Sequence, residues 1–324
     1  MRRRDFITIL GGASATLPFA AVAQQARRTY RLGFLLPLAR DAPVNIAFFD
    51  ELRSRGLIED QNLEVEYRAY GSHPELISQY AAELVKARVD VIVAGGPAAV
   101  RALQEATKTI PIVAIVNDMV LEGFVSSLAR PNGNTTGVNI LSVEADAKRQ
   151  EILIEAVHGI HRMGILADAN FGVAMKIDEL QEAARSHGVE LSIHRVARAE
   201  EIVSAIDNAK AAGCTALQVL SSPLFYTHRQ LIADRATAAR LPAIYEFPET
   251  AEEGGFVAYG PRMGELFLKV MPRQLFQLLQ GIKVADVPVE LPTRFELVIN
   301  LKAANAMGIT VPPSVLLRAD KVIE

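Results

Sequence analysis

Hydrophobic residues recur along this chain in two alternating patterns, which predict strands and helices in turn. Short apolar runs bounded by glycine, proline or polar residues are typical of buried parallel strands. Between these runs, apolar residues three and four positions apart indicate helices with one buried face. The strand-like runs form two series: RLGFLL from 31, LEVEY from 63, VDVIVAGG from 89 and IPIVAIV from 110, then MGILAD from 163, VELSI from 189, TALQVL from 215 and PAIYEF from 242.

This alternation predicts an α/β fold in which parallel sheets are covered by helices on both faces. Two series of four units are too many strands for one comfortable open sheet, and the chain exceeds the usual size of a single domain. We therefore predict two doubly wound parallel-sheet lobes joined by a multi-strand hinge. The predicted divisions are 29–138 for lobe 1, 139–259 for lobe 2, 260–285 for a return to lobe 1, and 286–324 for a hinge crossing and the C-terminal tail.

Residues 1–23 have the pattern of an export signal. Three arginines precede an apolar stretch that is too short to span a bilayer, and Ala21–Ala23 forms a small-x-small cleavage site. Arg3 and Arg4, followed by Asp-Phe-Ile, resemble the twin-arginine signal, and the ordinary secretory route is the alternative. We expect a periplasmic protein whose signal is cleaved near Ala23 and whose mature chain does not insert directly into the membrane.

Composition and charge narrow the class of partner. Half of the residues are hydrophobic and 22% are charged, which is sufficient for a large core. Cleavage after Ala23 would remove three arginines and one aspartate, so the formal charge of −3 would become −5. Mild acidity without clustered lysine and arginine argues against nucleic acid as a partner. The single cysteine, Cys214, is expected to be a small core residue.

The AGGPAAV turn at 94–100 is the sharpest candidate for ligand contact, because ligands of parallel sheets bind at the carboxyl ends of the strands. Gly95 and Gly96 would let the backbone approach a ligand, and Pro97 and Ala98 open a helix whose amides can hold an anion. A tight strand-to-helix turn explains the glycines equally well. No Gly-Lys-Ser/Thr follows, and the third glycine of a dinucleotide fingerprint is missing.

The same rule selects polar and aromatic residues from both series. Asp118 and Asp168 end strands, and each is explained equally well as a turn or helix cap. Phe171 and Tyr226 lie in polar loop sequence, where their rings could stack on a planar or apolar ligand. The full candidate set comprises Gly95, Gly96, Pro97, Ala98, Asn117, Asp118, Asp168, Asn170, Phe171, Ser221, Tyr226, Glu246 and Tyr259.

Motifs for catalysis are scarce in this chain. It has no Gly-x-Ser-x-Gly elbow, no His-Glu-x-x-His and no cluster of cysteine and histidine. We therefore predict a binding protein rather than an enzyme, with no metal site. From the candidate loops, we expect the polar end of a ligand against Gly96 to Ala98 and Asp118, and its apolar body against Phe171 and Tyr226.

Three long segments closely resemble the ABC-transporter substrate-binding family that includes tryptophan- and tyrosine-type binding proteins. They are VDVIVAGGPAAVRALQEATKTIPIV from 89, LARPNGNTTGVNILSVEADAKRQEIL from 128 and PTRFELVINLKAANAMGITVPPSVLLRADKVIE from 292. The resemblance covers roughly residues 30–324. It implies the type I periplasmic binding protein fold, a ligand between two lobes, no cofactor and an inner-membrane ABC permease as partner.

The resemblance also supports particular site residues and shows two departures. It places Gly95, Gly96, Pro97 and Ala98 in a first-lobe cradle with Asp118 as its polar wall, and Asp168 and Asn170 at a second-lobe strand end. Members of the family often have Gly-Asp-Pro-Val where this chain has Asn-Asp-Met-Val from 117. Pro248 and Glu249 stand where relatives commonly have Arg-Glu-Phe, which leaves the identity of the ligand open.

We expect a monomeric periplasmic solute-binding component of an ABC importer that captures a small solute between its lobes. An amino acid or a small aromatic or amide-bearing compound fits the candidate loops. An alternative is a ligand-sensing periplasmic module that serves a membrane sensor rather than a permease. A secreted α/β enzyme is less favoured, because the sequence shows no assembled nucleophile and base.

Overall fold

The computed structural model describes residues 28–71, 73–170 and 176–324. The predicted export signal at 1–23 and the candidate Phe171 lie outside these ranges. Within them the chain forms two α/β lobes, each built around its own sheet, which confirms the predicted fold class. None of the helices in these ranges is long and apolar enough to cross a membrane.

Lobe 1 is built on sheet A, which has five parallel strands in the order β2-β1-β3-β4-β5. The first four strands coincide with the apolar runs of the first series. The Val, Ile and Leu side chains of β1, β3 and β4 are buried between covering helices, whereas β2 lies at the edge of the sheet and is only partly buried. The strands are β1 (Tyr30–Leu36), β2 (Leu63–Ala69), β3 (Val91–Gly95), β4 (Ile112–Val116) and β5 (Thr135–Asn139).

Lobe 2 is built on sheet B, which has seven strands in the order β12-β11-β10-β9-β8-β6-β7. The four runs of the second series form four adjacent parallel strands of this sheet. The strands are β6 (Arg162–Asp168), β7 (Glu190–Val196), β8 (Ala216–Val219), β9 (Ala243–Tyr245), β10 (Val257–Gly260), β11 (Glu296–Asn300) and β12 (Lys321–Ile323).

Helices cover both faces of both sheets, so each lobe has two separate hydrophobic clusters. A π-helical turn at Leu266–Val270 joins α10 to α11. The helices are α1 (Pro43–Ser54), α2 (Ile77–Lys86), α3 (Pro97–Ala106), α4 (Asp146–Ala156), α5 (Ile177–Ser186), α6 (Glu201–Ala211), α7 (Pro223–Thr227), α8 (Arg229–Ala238), α9 (Pro248–Glu252), α10 (Met263–Glu265), α11 (Met271–Leu279), α12 (Leu301–Met307) and α13 (Pro313–Leu316).

The chain crosses between the lobes three times. It leaves sheet A after β5, leaves sheet B after β10, and returns to sheet B at β11. In between, α11 packs on lobe 1, where Leu275 is buried in the same cluster as residues of β1, β3 and β4. Glu290 forms a bridge with Val138 at the edge of sheet A before the last crossing. These connections form a hinge of several strands.

Sheet B departs from a purely parallel arrangement at one pair of strands. β11 runs antiparallel to β10, with Val257 opposite Ile299, whereas the sequence predicts parallel sheets. The reason lies in the path of the chain. β10 ends on the side of sheet B from which the chain leaves for lobe 1, and β11 enters from that same side, so the two neighbours point in opposite directions.

β5 lies within the segment 128–141, whose glycine, asparagine and threonine residues are typical of a linker between lobes. Its sequence, TTGVN, is polar, yet all five residues are buried. Gly137 permits this packing, because a Cβ atom there would lie 1.9 Å from the backbone oxygen of Ala114. The returning segment supplies partners for part of this strand, since Thr136 Oγ1 donates to Val287 O and Gln274 Nε2 donates to Gly137 O.

Candidate ligand-binding site

A cavity with about 660 Å³ of empty space lies between the two lobes. Loops that follow β1, β3 and β4 form one side, loops that follow β8 and β9 form the other, and the chain at 263–267 completes the wall. The lining residues are Leu36, Pro37, Leu38, Val44, Asn45, Gly95, Gly96, Pro97, Ile115, Val116, Asn117, Ile140, Ser221, Ser222, Pro223, Tyr226, Glu246, Phe247, Met263 and Phe267.

The lobes meet at Gly96, on the rim of this cavity. A Cβ atom at Gly96 would lie 2.9 Å from Cγ of Pro223 in lobe 2 and 3.0 Å from the hydroxyl of Tyr70. Gly96 also has φ 85° and ψ 152°, a conformation that essentially only glycine adopts. Its N–H donates to Ile115 O, so it is used within lobe 1. The glycine therefore allows close contact between the lobes rather than donating to a ligand.

Asn117 lines the lobe 1 side of the cavity, and its side chain carries an unpaired donor. Its Oδ1 accepts hydrogen bonds from the backbone N–H groups of Ser142 and Val143, at 2.7 and 3.1 Å. These bonds fix the orientation of the amide and leave Nδ2 as the free end. Nδ2 is buried and has no hydrogen-bond partner among the described residues. A buried amide without a partner is costly, so a ligand acceptor would satisfy it.

Glu246 supplies a carboxylate to the lobe 2 side of the cavity. It directly follows β9, and its side chain is buried, with a residue exposure of 6%. Ser221 Oγ donates to its Oε1 at 2.9 Å. Burial raises the pKa of Glu246 to about 7 from its ordinary value of 4.5, and the positive charge of Arg149 and the hydrogen bond from Ser221 oppose that rise.

Arg149 is fully buried behind Glu246, but its guanidinium is used by other groups. It pairs with Asp146 at 2.6 Å and donates to both oxygens of Ser142 and to the backbone oxygen of Tyr259. Ser142 lies in the first crossing, and Tyr259 lies in β10, just before the second crossing. The arginine thus ties two hinge segments together, and its charge is balanced by Asp146 rather than by Glu246.

Aromatic and aliphatic side chains form the rest of the cavity wall. The rings of Tyr226 and Phe247 meet edge to face with centroids 5.3 Å apart. The Arg229 guanidinium lies 4.8 Å from the centre of the Tyr226 ring. Phe267 reaches the cavity from the segment that returns to lobe 1, and it packs 4.7 Å from Phe48. The cavity can therefore enclose an apolar body and present a few polar groups to one end of it.

Several predicted site residues lie on the cavity wall. Gly95, Gly96 and Pro97 line it from lobe 1, where Gly95 O accepts from the hydroxyl of Tyr70 at 2.9 Å. Ala98 lies instead in a neighbouring recess between α2 and α3. Asn117, Ser221, Tyr226 and Glu246 were also predicted from the sequence and line the cavity.

Other predicted residues do not line the cavity. Asp118 caps a turn, because its Oδ1 accepts from the N–H groups of Val120 and Leu121 at 2.8 and 3.1 Å. Tyr259 contributes its backbone oxygen to Arg149, and its ring packs 5.9 Å from that of Phe295. The polar wall that the sequence assigns to Asp118 is therefore formed by its neighbour Asn117.

Neither Asp168 nor Asn170 lines the cavity: Asp168 is buried, whereas Asn170 is exposed beside the neighbouring recess. Asp168 Oδ1 accepts from the N–H of Asn170 at 2.8 Å, and its carboxyl also contacts Ser222. Burial raises the pKa of Asp168. Asn170 Nδ2 donates to Ala197 O at 2.9 Å. Both residues therefore stabilise the loop after β6. This role agrees with the interpretation of Asp168 as a turn residue.

Sequence reasoning missed the residues that come from outside the strand-end loops. Asn45 lies in the first turn of α1, where both of its amide hydrogens are donated, to Ala39 O and to the hydroxyl of Tyr67. Met263 and Phe267 come from the return to lobe 1. The sequence signal that could have identified Asn45 is its polar side chain on the otherwise apolar, buried face of α1. The position of Phe267 depends on a long-range crossing that no local pattern reveals.

A family model described as ABC transporter substrate binding protein matches residues 39–323. The chain belongs to the ABC transporter substrate-binding protein family. This confirms the resemblance seen in the sequence. The match includes lobe 2, all of lobe 1 that follows β1, all three crossings and every residue that lines the cavity except Leu36, Pro37 and Leu38.

Individual proteins are similar to this chain in sequence or in fold. A tyrosine-binding protein from Clostridioides difficile is 22% identical over 263 residues, which are 80% of this chain and 75% of that protein. A conserved domain protein from Vibrio cholerae is 25% identical with a TM-score of 0.81, and covers 91% of this chain and 100% of its own. An ABC domain from Streptococcus pneumonia in complex with L-Trp is 23% identical with a TM-score of 0.78, at the same coverage.

Proposed function

We propose that this substrate-binding protein is the periplasmic solute-binding component of an ABC importer and delivers a small solute to an inner-membrane permease. Its family membership, its two lobes and the cavity between them support this role. Lobes joined by a multi-strand hinge can open and close around a ligand. The contact between Gly96 and Pro223 is the contact that a closed state requires.

The observation that carries the proposal is the composition of the cavity wall. The wall is mostly apolar, and its polar groups include the unpaired Nδ2 of Asn117 on lobe 1 and the carboxyl of Glu246 on lobe 2. A solute with an apolar body and a polar end that carries both an acceptor and a donor would satisfy both groups. An amino acid with a large apolar side chain has this chemistry. Relatives that bind tyrosine and L-Trp support the same class.

Mass spectrometry of solutes released from the purified and denatured protein is the direct test of this function. We expect one small solute at near-equal molar amount, and calorimetry with that compound should show one site per chain. Solution scattering should show a more compact particle with the solute than without it. A chain that binds no solute from a periplasmic extract, or whose shape is the same in both states, would contradict the proposal.

The proposed location has its own test. Replacing Arg3 and Arg4 together by lysine keeps the basic charge, which the ordinary secretory route needs, but removes the twin-arginine pair. Loss of the protein from the periplasmic fraction is expected if the signal is of the twin-arginine type. Unchanged export would assign it to the secretory route, whereas an uncleaved chain in the cytoplasm of the wild type would contradict a periplasmic role.

A further inference from the structure

We propose that Glu246 is the counter-ion for a protonated amine of the solute, so that capture depends on an ionised carboxylate and weakens as the pH falls. This inference rests on the proposed function, because it assigns the chemistry of one end of the same cavity. Glu246 is the residue that selects the ligand, and the ligand group that it selects is a primary ammonium.

The charges around the cavity carry the argument. Neither lysine nor arginine occurs among the residues that line the cavity in the described part of the chain, and Glu246 is the sole carboxylate among them. A carboxylate in a mostly apolar cavity requires a positive partner or a proton. The hydroxyls of Ser221 and Ser142 each hydrogen-bond to it, and together these neutral groups satisfy only part of its accepting capacity. A ligand ammonium would supply both the charge and the donors.

The buried groups packed against Glu246 do not supply that partner. From α4, Arg149 faces it, but the guanidinium is paired with Asp146 at 2.6 Å and donates to Ser142 and Tyr259. From the loop after β8, Ser221 contributes a neutral hydroxyl. From α7, Tyr226 contributes a phenol whose pKa burial raises, so it stays neutral. Asp146 adds a negative charge, which together with Arg149 leaves the surroundings of Glu246 without net positive charge.

The direction of the pH dependence follows from burial. The pKa of Glu246 is raised to about 7, so the carboxyl of the empty protein is half protonated at that pH. An ammonium ligand binds the ionised form, and its affinity should therefore fall about tenfold for each pH unit below 7. The stability of the empty protein should change in the opposite sense. The folded state holds this proton more tightly than the unfolded state, so stability is lost as pH rises from 4.5 to 7.

The test uses the twenty standard L-amino acids as probes, each paired at pH 8 with the carboxylic acid that lacks the amine. Tryptophan and tyrosine, for example, pair with indole-3-propionate and 3-(4-hydroxyphenyl)propionate. We expect at least one amino acid to bind by calorimetry and its deaminated partner to bind at least 100-fold more weakly. Binding of a deaminated acid as tightly as its parent, or no binding by any amine, would overturn the assignment.

Proton linkage is measured with the amino acid that binds most tightly. At pH 7, titrations in buffers of different ionisation enthalpy should show release of about half a proton per ligand, because half of Glu246 must ionise. Glu246→Gln keeps an acceptor for Ser221 but has no charge, and it should abolish both the proton release and the fall in affinity at low pH. Equal pH dependence in this variant would refute the proposal.

Glu249→Gln is the matched control. Glu249 is also a carboxyl whose pKa burial raises, but its Oε1 accepts from the N–H of Gly264 and it does not line the cavity. It should keep the pH dependence of the wild type. Recovery from the periplasm of a solute without an amine would overturn this inference and leave the transport function intact, whereas absence of any solute would contradict both.

Discussion

The two lobes share an architecture but present different chemistry to the cavity. Lobe 1 presents uncharged groups, including the amide of Asn117 and the backbone of Gly95 and Gly96. Lobe 2 presents a buried carboxylate, Glu246, with two serines and an aromatic pair. From the sequence, we expected the polar end of the ligand against Asp118 of lobe 1 and its apolar body against rings of lobe 2, with Glu246 as a further candidate residue. The difference shows that strand-end position alone does not fix which lobe carries the charge of a site.

The contrast has a physical cause in the packing behind each wall. Behind Glu246 lies the buried pair of Arg149 and Asp146, which gives lobe 2 a polar interior in which a second carboxylate can be held. Behind Asn117 lie the backbone N–H groups of the first crossing, which a neutral amide oxygen satisfies. Each wall therefore carries a polar group that the residues packed behind that wall can stabilise.

The largest expected effect is on stability, from Arg149→Met in lobe 2. The arginine is fully buried, and its removal leaves the Asp146 carboxylate without a charged partner. We expect a loss of about 3–5 kcal/mol in the free energy of unfolding, measured with urea. Asp146→Asn in the same chain should restore part of it.

An exposed pair provides the control for that measurement. Arg198 pairs with Glu201 at 2.8 Å, but its side chain is 71% exposed, so Arg198→Met should cost less than about 1 kcal/mol. If Arg149→Met were as stable as the wild type, the charged interior assigned to lobe 2 would not matter to the fold.

Gly96→Ala tests whether the two walls must touch. A methyl group there meets Pro223 and Tyr70, and the backbone conformation would add strain of about 1–3 kcal/mol. We expect the folded variant to bind the solute at least about tenfold more weakly, since closure is impeded. Calorimetry and scattering would measure this loss.

Gly123→Ala separates closure from strain. Gly123 also has positive φ, 74°, but an added Cβ would have no neighbour within 4 Å. This variant should lose stability and keep its affinity. Equal affinity of Gly96→Ala and the wild type would show that the contact at Gly96 is not part of the bound state.

Asn117→Asp tests the neutral donor of lobe 1. The variant keeps an oxygen for the N–H groups of Ser142 and Val143 but replaces the unpaired Nδ2 by a second oxygen. An acceptor atom of the ligand would then face a carboxylate oxygen instead of an N–H donor. We expect the binding free energy to weaken by about 1–3 kcal/mol, which is a loss of affinity of roughly five- to 150-fold. Unchanged affinity, by calorimetry, would remove Asn117 from the site.

The smallest effect is expected from Asp118→Ala, one residue along the chain. Asp118 caps its own turn and does not line the cavity, so the variant should lose about 1 kcal/mol of stability and bind within twofold of the wild type. A large loss of affinity here, with Asn117→Asp unaffected, would reverse the assignment of the polar wall.

The sequence predicted the strands whose apolar runs are buried on both faces, such as β3 and β4. It could not predict β5, because TTGVN resembles a linker until its polar groups find partners in the returning segment. The site was predictable as a set of strand-end loops, including Gly96, Asn117 and Glu246. The choice between neighbours was not, because whether Asn117 or Asp118 faces the cavity depends on where β4 ends. Phe267 reaches the wall only through a long-range crossing.

A crystal structure with the solute recovered from the purified protein tests the central claim most directly. We predict the solute between the lobes, with an acceptor within hydrogen-bond distance of Asn117 Nδ2, an amine at the carboxylate of Glu246, and an apolar body against Tyr226, Phe247 and Phe267. A solute bound in the neighbouring recess beside Ala98 and Arg101, with the central cavity empty, would contradict the account.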